Sequence, residues 1–390
     1  MFGKLIIFLF FNFLPSFCDV NKIFESCLAE CGLSAEYFVR EEGSFRAYGG
    51  YGNNITKTPF LAYIRNEVQE CGIYKTCSAV IIGSKYLLSA EHCFEYIPGN
   101  DCILEPEISY DRNPTQNKWQ TFRPSEIKIF VGISNANEIN QTRALKVKRV
   151  KILSRMNKTK DGYTDIALIE LYKDLQFDIS VRPICLHQSF NETFGQPVLH
   201  TGFGRTNKKY DRPPVVGDSL HYGNLQTINI ALSLPEFCEN VEGPNDVATH
   251  ICAGSGSSGI ASTDSGGALY YYSKGKAYLI AVASASSTHD NGKELTKNNL
   301  NKDLNPDTFT RISPLCHWVA EITKIDCKNP KNEEIPINCQ NQAVNIIRAN
   351  KAKHGKMIPN LMNENRVNVE KTKIETSKEE EKGFWSSIFG

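Results

Sequence analysis

Short runs of β-branched and aromatic residues fill the segment from Phe60 to about Thr323, and this pattern constrains the fold more than any other feature. Clear examples are Ser78 to Ile82, Ile127 to Val131, Ala167 to Leu171 and Tyr278 to Ala283. Gly, Pro, Asn and Ser residues separate the runs, as they do where antiparallel strands are joined by turns. The sequence therefore predicts an antiparallel all-β domain, either a barrel or a sandwich.

One helix is predicted at the end of this segment, from Ser313 to Thr323. Ser313 can cap the helix, and Pro314 suits its first turn. The apolar residues that follow recur at helical spacing, namely Leu315, Trp318, Val319 and Ile322. We expect this helix to pack against the β domain.

The first residues have the pattern of a secretory signal peptide, which we assign to residues 1–18. An early cation, Lys4, precedes an apolar run that is too short to span a bilayer. Ser16 and Cys18 occupy the positions that a cleavage site reserves for small residues, although a cut one or two residues away fits as well. No second long apolar segment follows, so we expect the mature protein to leave the membrane.

The cysteine count agrees with export. The chain has 13 cysteines, and removal of Cys18 with the signal leaves an even number. An even set suits disulfide formation in an oxidising, extracellular compartment. Four glycosylation acceptor triplets are consistent with the same route, at Asn54, Asn140, Asn157 and Asn191.

Charge and composition exclude several classes of partner and cofactor. The 44 Lys and Arg residues nearly equal the 43 Asp and Glu residues, so no strong net field attracts nucleic acid or acidic membranes. No P-loop or Rossmann glycine pattern is present. No C-x-x-C pair exists, and Cys27 with Cys31 has no matching pair at zinc-finger spacing, so we expect neither a metal nor an organic cofactor. Residues 329–390 are rich in Asn, Lys and Glu, and we expect a largely disordered polar tail there.

Three short phrases carry the chemistry, in chain order. Ser-Ala-Glu-His-Cys ends at Cys93, Asp-Ile-Ala-Leu begins at Asp165, and Asp-Ser-Gly-Gly begins at Asp264. A serine hydroxyl barely ionises at neutral pH, so it needs an imidazole to take its proton and a buried carboxylate to fix the imidazole tautomer. His92, Asp165 and Ser265 can supply these roles. Each residue taken alone also fits a structural role in a turn or beside a disulfide.

Together with Cys77-Ser-Ala-Val-Ile-Ile, Arg182-Pro-Ile-Cys185, Thr201-Gly-Phe-Gly-Arg205 and Cys252-Ala-Gly254, these phrases resemble the trypsin and chymotrypsin-like serine proteases. The resemblance implies two six-stranded antiparallel β-barrels with a C-terminal helix, in a domain of residues 47–328. It implies a site at the barrel junction, with His92 as general base and acid, Asp165 as its orienting group and Ser265 as nucleophile. The amides of Thr263 and Ser265 would hold the oxyanion.

The resemblance also implies activation by proteolysis. Arg46-Ala-Tyr-Gly-Gly50 is similar to the family's activation junction, so residues 19–46 would be a propeptide. Cleavage after Arg46 would free the α-amino group of Ala47 to pair with Asp264. An ordinary loop position for Arg46 is the alternative.

Several positions depart from the family pattern. Thr263 stands where the family usually has glycine, and a branched side chain there restricts the backbone that presents an oxyanion donor. By the family's positions, Gly259 forms the base of the substrate pocket, Ser284 lies near the buried aspartate, and the pocket wall continues with Ala285 and Ser286. Asp307 stands at the back of the pocket, where a carboxylate would attract a basic substrate side chain.

The resemblance implies disulfides between Cys77 and Cys93 and between Cys238 and Cys252. It pairs Cys185 with Cys27 or Cys31, which would keep a cleaved propeptide attached. Cys71 and Cys102 both lie in loop expansions and are a further candidate pair, whereas Cys316, Cys327 and Cys339 stay unassigned.

Two functions follow from the sequence. The first is a secreted serine endopeptidase that acts on protein or peptide substrates after cleavage by an activating protease. The second is a secreted pseudoprotease that keeps the fold for binding or regulation, because Thr263 and the altered pocket weaken catalysis.

Overall fold

The computed structural model describes residues 27, 29–33, 53–96, 120–139, 144–153, 164–204, 224–234, 237, 248–254, 259–286, 306–334 and 339. The chain divides into two compact units, the first ending at Ile335 and the second running from Pro336 to Gly390. The predicted signal peptide and nearly all of the predicted tail lie outside the described residues. Of the predicted propeptide, only residues 27 and 29–33 are described.

Six strands of the first half of the chain form a closed barrel. They are β1 (Leu61–Val68), β2 (Ile73–Ile81), β3 (Tyr86–Ser89), β6 (Ile127–Val131), β7 (Leu145–Ile152) and β8 (Ala167–Leu171). Their order around the barrel is β1-β2-β3-β8-β7-β6, and every neighbouring pair is antiparallel. A separate two-stranded ladder joins β4 (Glu95–Tyr96) to β5 (Gln120–Thr121).

The second half forms a seven-stranded sheet that curls toward closure. Its strands are β9 (Cys185–Leu186), β10 (Pro197–Gly202), β11 (Gln226–Ala231), β12 (His250–Ala253), β13 (Ala268–Ser273), β14 (Lys276–Ala285) and β15 (Asp307–Arg311). Six strands follow the order β11-β10-β13-β14-β15-β12, and β9 pairs with β14 in parallel. The outer strands meet through a bridge between Leu232 and Ala253 and a 2.9 Å hydrogen bond from Gly254 N–H to Ala231 O. The predicted all-β fold is confirmed: the first half is a closed six-stranded barrel, and the second half is a partly closed sheet.

Alternation along β1 explains why the two sheets pack together. Ala62 and Ile64 point into the first barrel, whereas Leu61 and Tyr63 join a core shared with the second sheet. Aromatic rings cross this junction, with Phe60 5.1 Å from Tyr270 between ring centroids. The shared core therefore packs the two sheets directly against each other.

The chain closes with a 3-10 turn, Ser313–Leu315, and the helix α1 (Cys316–Thr323). Val319 is fully buried, and a disulfide joins Cys316 to Cys327. The following residues also fold onto the domain, because Lys331 O accepts a 2.8 Å hydrogen bond from Lys274 Nζ and Glu333 lies 3.5 Å from Lys276 Nζ. Residues 331 and 333 therefore contact the second sheet.

Candidate active site

His92 lies on a 3-10 turn, Glu91–Phe94, directly after strand β3. The disulfide between Cys77 and Cys93 ties this turn to β2. The carbonyls of the turn are also held, since Lys75 Nζ donates to His92 O and Asn66 Nδ2 donates to Cys93 O at 2.8 Å. These contacts fix the backbone that carries the imidazole.

Asp165 lies just before β8, whose first residue pairs with the last residue of β3, so His92 and Asp165 emerge at the same end of the barrel. Asp165 Oδ2 is 2.7 Å from His92 Nδ1, and Asp165 Oδ1 accepts the His92 backbone N–H at 2.9 Å. The carboxylate is buried, while the imidazole is half-exposed. A carboxylate that accepts from Nδ1–H leaves His92 Nε2 as the proton acceptor.

The second sheet contributes two further contacts to Asp165. Ser284 Oγ on β14 donates to Asp165 Oδ2 at 2.7 Å, and Thr310 Oγ1 on β15 donates to Asp165 O at 3.0 Å. Burial alone raises the pKa of Asp165, but the charge of His92 and the hydrogen bonds from His92 and Ser284 outweigh it and hold the pKa below its usual value. Asp165 is therefore ionised at neutral pH despite its burial.

Ser265 lies on the turn that leads into β13, and main-chain contacts bring this turn to the first barrel. Ser265 O accepts the Ser78 N–H at 2.8 Å, and Cys93 Sγ lies 3.8 Å from the same oxygen. Gly266, with φ of +83°, packs so closely that a Cβ there would lie 2.2 Å from Ser78 O. Among the described residues, Ser265 Oγ makes no hydrogen bond to the His92 ring. Such bonds are often long in enzymes without substrate.

Thr263 has a backbone conformation that favours glycine, with φ of +79°. The N–H groups of Thr263 and Ser265 donate no hydrogen bond to any described residue. Two unpaired N–H groups beside a serine hydroxyl are the arrangement that stabilises an oxyanion. The sequence identifies Thr263 as a constrained position, but it does not specify this conformation.

Asp264 is buried and held by the main chain. Gly204 N–H donates to Oδ1 at 2.8 Å, and Ala261 N–H donates to Oδ2 at 3.0 Å. A Cβ at Gly202 or Gly204 would lie 2.3 Å or 2.0 Å from the carboxylate oxygens, so both glycines of the Thr201–Arg205 phrase make room for this side chain. Arg46 and Ala47 lie outside the described residues.

His200 on β10 is a neighbour of Asp264 that the sequence analysis missed. Its ring is 2% exposed, and neither ring nitrogen has a hydrogen bond partner in the described part of the chain. Nε2 lies 3.6 Å from Asp264 Oδ1. A lone histidine in a β-strand phrase gives no sequence signal for this proximity, because β10 and the Asp264 turn are distant along the chain.

We expect His200→Leu to raise the free energy of unfolding by up to about 1 kcal/mol, because it removes a buried polar ring that lacks hydrogen bonds. Urea denaturation at pH 8 measures this change. His187→Leu is the matched control: His187 Nε2 bonds Tyr271 Oη at 2.7 Å, and Ser189 N–H donates to Nδ1 at 3.1 Å, so its loss should cost about 1–3 kcal/mol. A comparable loss of stability for His200→Leu would mean that the contact of the His200 ring with Asp264 stabilises the fold.

Three of the five predicted substrate pocket residues, Gly259, Ser286 and Asp307, lie beside Ile260, whereas Ser284 contacts Asp165. Asp307, the first residue of β15, is buried, and its Oδ2 accepts the Ile260 N–H at 2.6 Å. A Cβ at Gly259 would lie 1.9 Å from the same oxygen, so glycine is required beside this carboxylate. From the other side, Ser286 Oγ donates to Ile260 O at 3.0 Å, and Ala285 ends β14 opposite Thr308.

All cysteines that the structure describes are disulfide-bonded. Cys185 pairs with Cys31 rather than with Cys27, which forms a different disulfide. Cys252 and Cys71 are also bonded, but their predicted partners, Cys238 and Cys102, lie outside the described residues. The cluster of Cys77, His92 and Cys93 has metal-ligand composition, yet its two sulfurs are joined to each other and its Nδ1 is bonded to Asp165.

The described part of the predicted propeptide is docked on the second sheet. Gly32 N–H donates to Pro183 O and Gly32 O accepts from Ala277 N–H, both at 2.8 Å. The buried Lys276 ammonium lies 2.6 Å from Glu30 Oε1. With the Cys31 disulfide, these contacts make the segment an integral part of the domain.

The two antiparallel sheets bring a hydrogen-bonded histidine–aspartate pair and the turn that carries Ser265 to the same side of the first barrel, where Ser265 O contacts Ser78 and Cys93. A family model described as Trypsin matches residues 47–319. The chain belongs to this trypsin family of serine proteases and is a serine-type peptidase.

Curated relatives are arthropod serine proteases of low identity. The chain is 24% identical over 302 residues to CLIP domain-containing serine protease C9 of Anopheles gambiae, covering 73% of this chain and 70% of that protein. It is 21% identical over 279 residues to serine protease SSP1 of Scolopendra subspinipes, covering 72% and 84%. It is 24% identical over 318 residues to venom serine protease 34 of Apis mellifera, covering 79% and 64%.

Proposed function

We propose that this protein is a secreted serine endopeptidase in which Ser265, His92 and Asp165 hydrolyse peptide bonds. The main support is the doubly hydrogen-bonded pair of His92 and Asp165, which Ser284 braces from the opposite sheet. Such bracing fixes the imidazole tautomer before substrate arrives. A half-exposed imidazole does not need these hydrogen bonds for the stability of the fold, so a catalytic role explains them better.

In the proposed reaction, Ser265 Oγ attacks the carbonyl carbon of the substrate while His92 Nε2 takes its proton. The N–H groups of Thr263 and Ser265 hold the oxyanion that develops. His92 then gives the proton to the leaving amine, and an acyl-enzyme forms on Ser265. Water, deprotonated by His92, releases the acid and restores the serine.

Asp307 is the proposed determinant of substrate preference. Its carboxylate faces the position of Gly259, where the family resemblance puts the pocket base, and both lie at the Ile260 peptide. A buried negative charge favours a Lys or Arg side chain over an apolar one. Ser286 narrows the same pocket, because its hydroxyl reaches the Ile260 carbonyl from the facing wall.

Proteolytic activation after Arg46 is part of the proposal. The freed Ala47 ammonium would join the carboxylate of Asp264, whose present partners are neutral N–H groups and the nearby His200 ring. The disulfide between Cys31 and Cys185 supports a two-chain product that stays together after cleavage.

The signal pattern at residues 1–18 and the disulfides support secretion of the peptidase. No helix among the described residues has the length and apolar character needed to cross a membrane. Its partners would be protein or peptide substrates and an activating protease. The chemistry of the site needs no metal or organic cofactor.

The second candidate is a pseudoprotease that binds partners without efficient catalysis. The left-handed Thr263 backbone and the missing hydrogen bond between Ser265 and His92, both described residues, favour this alternative. A β-branched residue at positive φ is strained, so the oxyanion donor could relax away from its working position.

A fluorophosphonate probe distinguishes the two candidates. We expect the probe to modify Ser265 in protein cleaved after Arg46, because only an activated serine attacks phosphorus readily. Mass spectrometry of the labelled peptide measures the site and the stoichiometry. Ser265→Ala should abolish labelling.

Arg46→Gln serves as the control for activation and should remain unlabelled after treatment with an Arg-specific protease. Full labelling of Arg46→Gln would show that cleavage after Arg46 is not required for activity. No labelling of folded, cleaved wild type would favour the pseudoprotease.

A further inference from the structure

Strand β2 of the opposite barrel holds the turn that carries Thr263 and Ser265 through side-chain and main-chain contacts. On β2, Thr76 and Ser78 point to the same face because they are two residues apart. Thr76 Oγ1 lies 2.9 Å from Thr263 Oγ1, and Ser78 Oγ donates to Thr263 O at 2.9 Å. The main chain of Ser78 bonds Ser265 O. Thr263 is thus hydrogen-bonded to β2 through both its side chain and its carbonyl.

The Ser78 hydroxyl is itself fixed in direction. It accepts the Phe203 N–H at 3.0 Å, so its proton is left for Thr263 O. Ser89 Oγ donates to Ser78 O at 2.8 Å and supports the same stretch of β2. Ser78 and Ser89 are fully buried, and Thr263 is nearly so. The hydrogen bonds of Ser78 are therefore buried, whereas Thr76 is half-buried and its bond to Thr263 lies at the edge of this network.

Thr263 needs such an anchor because its φ of +79° is unfavourable for a β-branched residue. The strain at a position of this kind is similar in size to one neutral hydrogen bond. The hydroxyl pair of Thr76 and Thr263 can therefore decide whether the strained backbone is kept. A glycine at residue 263 would need no such partner.

We propose that Thr76 is a positioning residue that holds Thr263 in this conformation and so aims the Thr263 N–H at the oxyanion. The inference rests on the proposed function and deepens it. Thr76 touches neither the nucleophile nor the base; it acts through the Thr263 side chain. Its contribution should appear in the transition state, where the oxyanion exists, and not in substrate binding.

Thr76→Val tests this role because it keeps the side-chain shape and removes only the hydroxyl. We expect kcat of the activated protein to fall about tenfold, with KM changed less than about twofold. Thr76→Ser restores a hydroxyl and should recover most of the loss. Thr121→Val makes the same substitution on β5 and should leave kcat unchanged.

Double variants separate positioning from general packing. Thr263→Val removes the same hydrogen bond from the other side, so its combination with Thr76→Val should lose no more than either alone. With Thr263→Gly, the left-handed backbone needs no hydroxyl, and Thr76→Val should then have no effect. Unchanged kcat in Thr76→Val, or an equal loss in the Thr263→Gly background, would overturn the proposal.

Thermal unfolding keeps the inference testable if the proposed catalysis fails. Should cleaved wild type resist the fluorophosphonate probe, Thr76→Val must still lower the unfolding midpoint of the otherwise wild-type protein, and it must lower the midpoint of the Thr263→Gly variant by clearly less. The shift that remains in the Thr263→Gly background is expected from the contact of the Thr76 hydroxyl with Tyr63. Additive midpoint shifts in the two backgrounds would show that no coupling exists between Thr76 and Thr263. The probe result and the midpoint result thus report on the proposed function and on the inference separately.

Discussion

Asp165→Asn is expected to lower kcat by about 10⁴-fold while the protein stays folded. The reason lies in the four donors around Asp165: its carboxylate oxygens accept from the His92 main chain, from His92 Nδ1 and from Ser284 Oγ, while its carbonyl accepts from Thr310. An asparagine amide has one oxygen and one NH₂ group. The NH₂ group must therefore face at least one of these N–H or O–H donors, and two donors cannot form a hydrogen bond. If the NH₂ group faces Nδ1, the imidazole takes the tautomer in which Nε2 carries the proton and cannot accept one from Ser265.

Active-site titration followed by kcat measurement on peptide substrates tests this expectation. Ser284→Ala is the matched control, because it removes one donor and leaves the tautomer unchanged; it should lower kcat by only about tenfold. Asp165→Asn that keeps more than a tenth of wild-type kcat would contradict the proposed role of Asp165.

The same variant has a pH signature in stability. The pKa of Asp165 is lower in the folded protein than its usual value, so its ionised form stabilises the fold above the unfolded pKa of about 3.9. This contribution is lost as the pH falls through the lower, folded value. The stability difference between wild type and Asp165→Asn should therefore be largest near neutral pH and shrink in acid.

The strands and the order of the site phrases could be read from the sequence because they depend on local patterns. The predicted runs Ile127 to Val131 and Ala167 to Leu171 coincide with β6 and β8. Period and composition are sufficient there, since both strands are almost wholly buried between two hydrophobic clusters. The all-β class and the family follow from the same information.

Contacts between the two sheets could not be predicted in this way. The Thr76 hydroxyl meets Thr263 across 187 positions of sequence, and neither residue belongs to a motif that names the other. The choice of Cys31 as partner of Cys185 also depends on the path of the chain, which turns at Gly32 with φ of +77° against the backbone of Ala277. Such pairings are decided by tertiary packing, which a single sequence does not encode locally.

Asp307→Asn is expected to reduce the preference for Lys or Arg over Leu at the cleaved position by about 10³-fold. A substrate cation about 4 Å from the carboxylate gains about 4 kcal/mol at the effective dielectric of a protein site, and about 1.4 kcal/mol corresponds to each factor of ten. Asparagine keeps an oxygen that can accept the Ile260 N–H, so the pocket wall should keep its shape while it loses its charge.

A panel of peptides that differ only at the cleaved position measures this change as the ratio of kcat/KM values. Asp174→Asn is the control, because it neutralises an exposed carboxylate that pairs with Lys85 on the first barrel; it should leave the ratio unchanged. Apolar substrates should be cleaved by Asp307→Asn at near the wild-type rate, since burying a neutral amide penalises them no more than a charge does. Equal cleavage of Lys and Leu peptides by the wild type would instead mean that the Asp307 carboxylate serves only to hold the Ile260 peptide. Substrate preference would then depend on Ser286, whose hydroxyl contacts the Ile260 carbonyl.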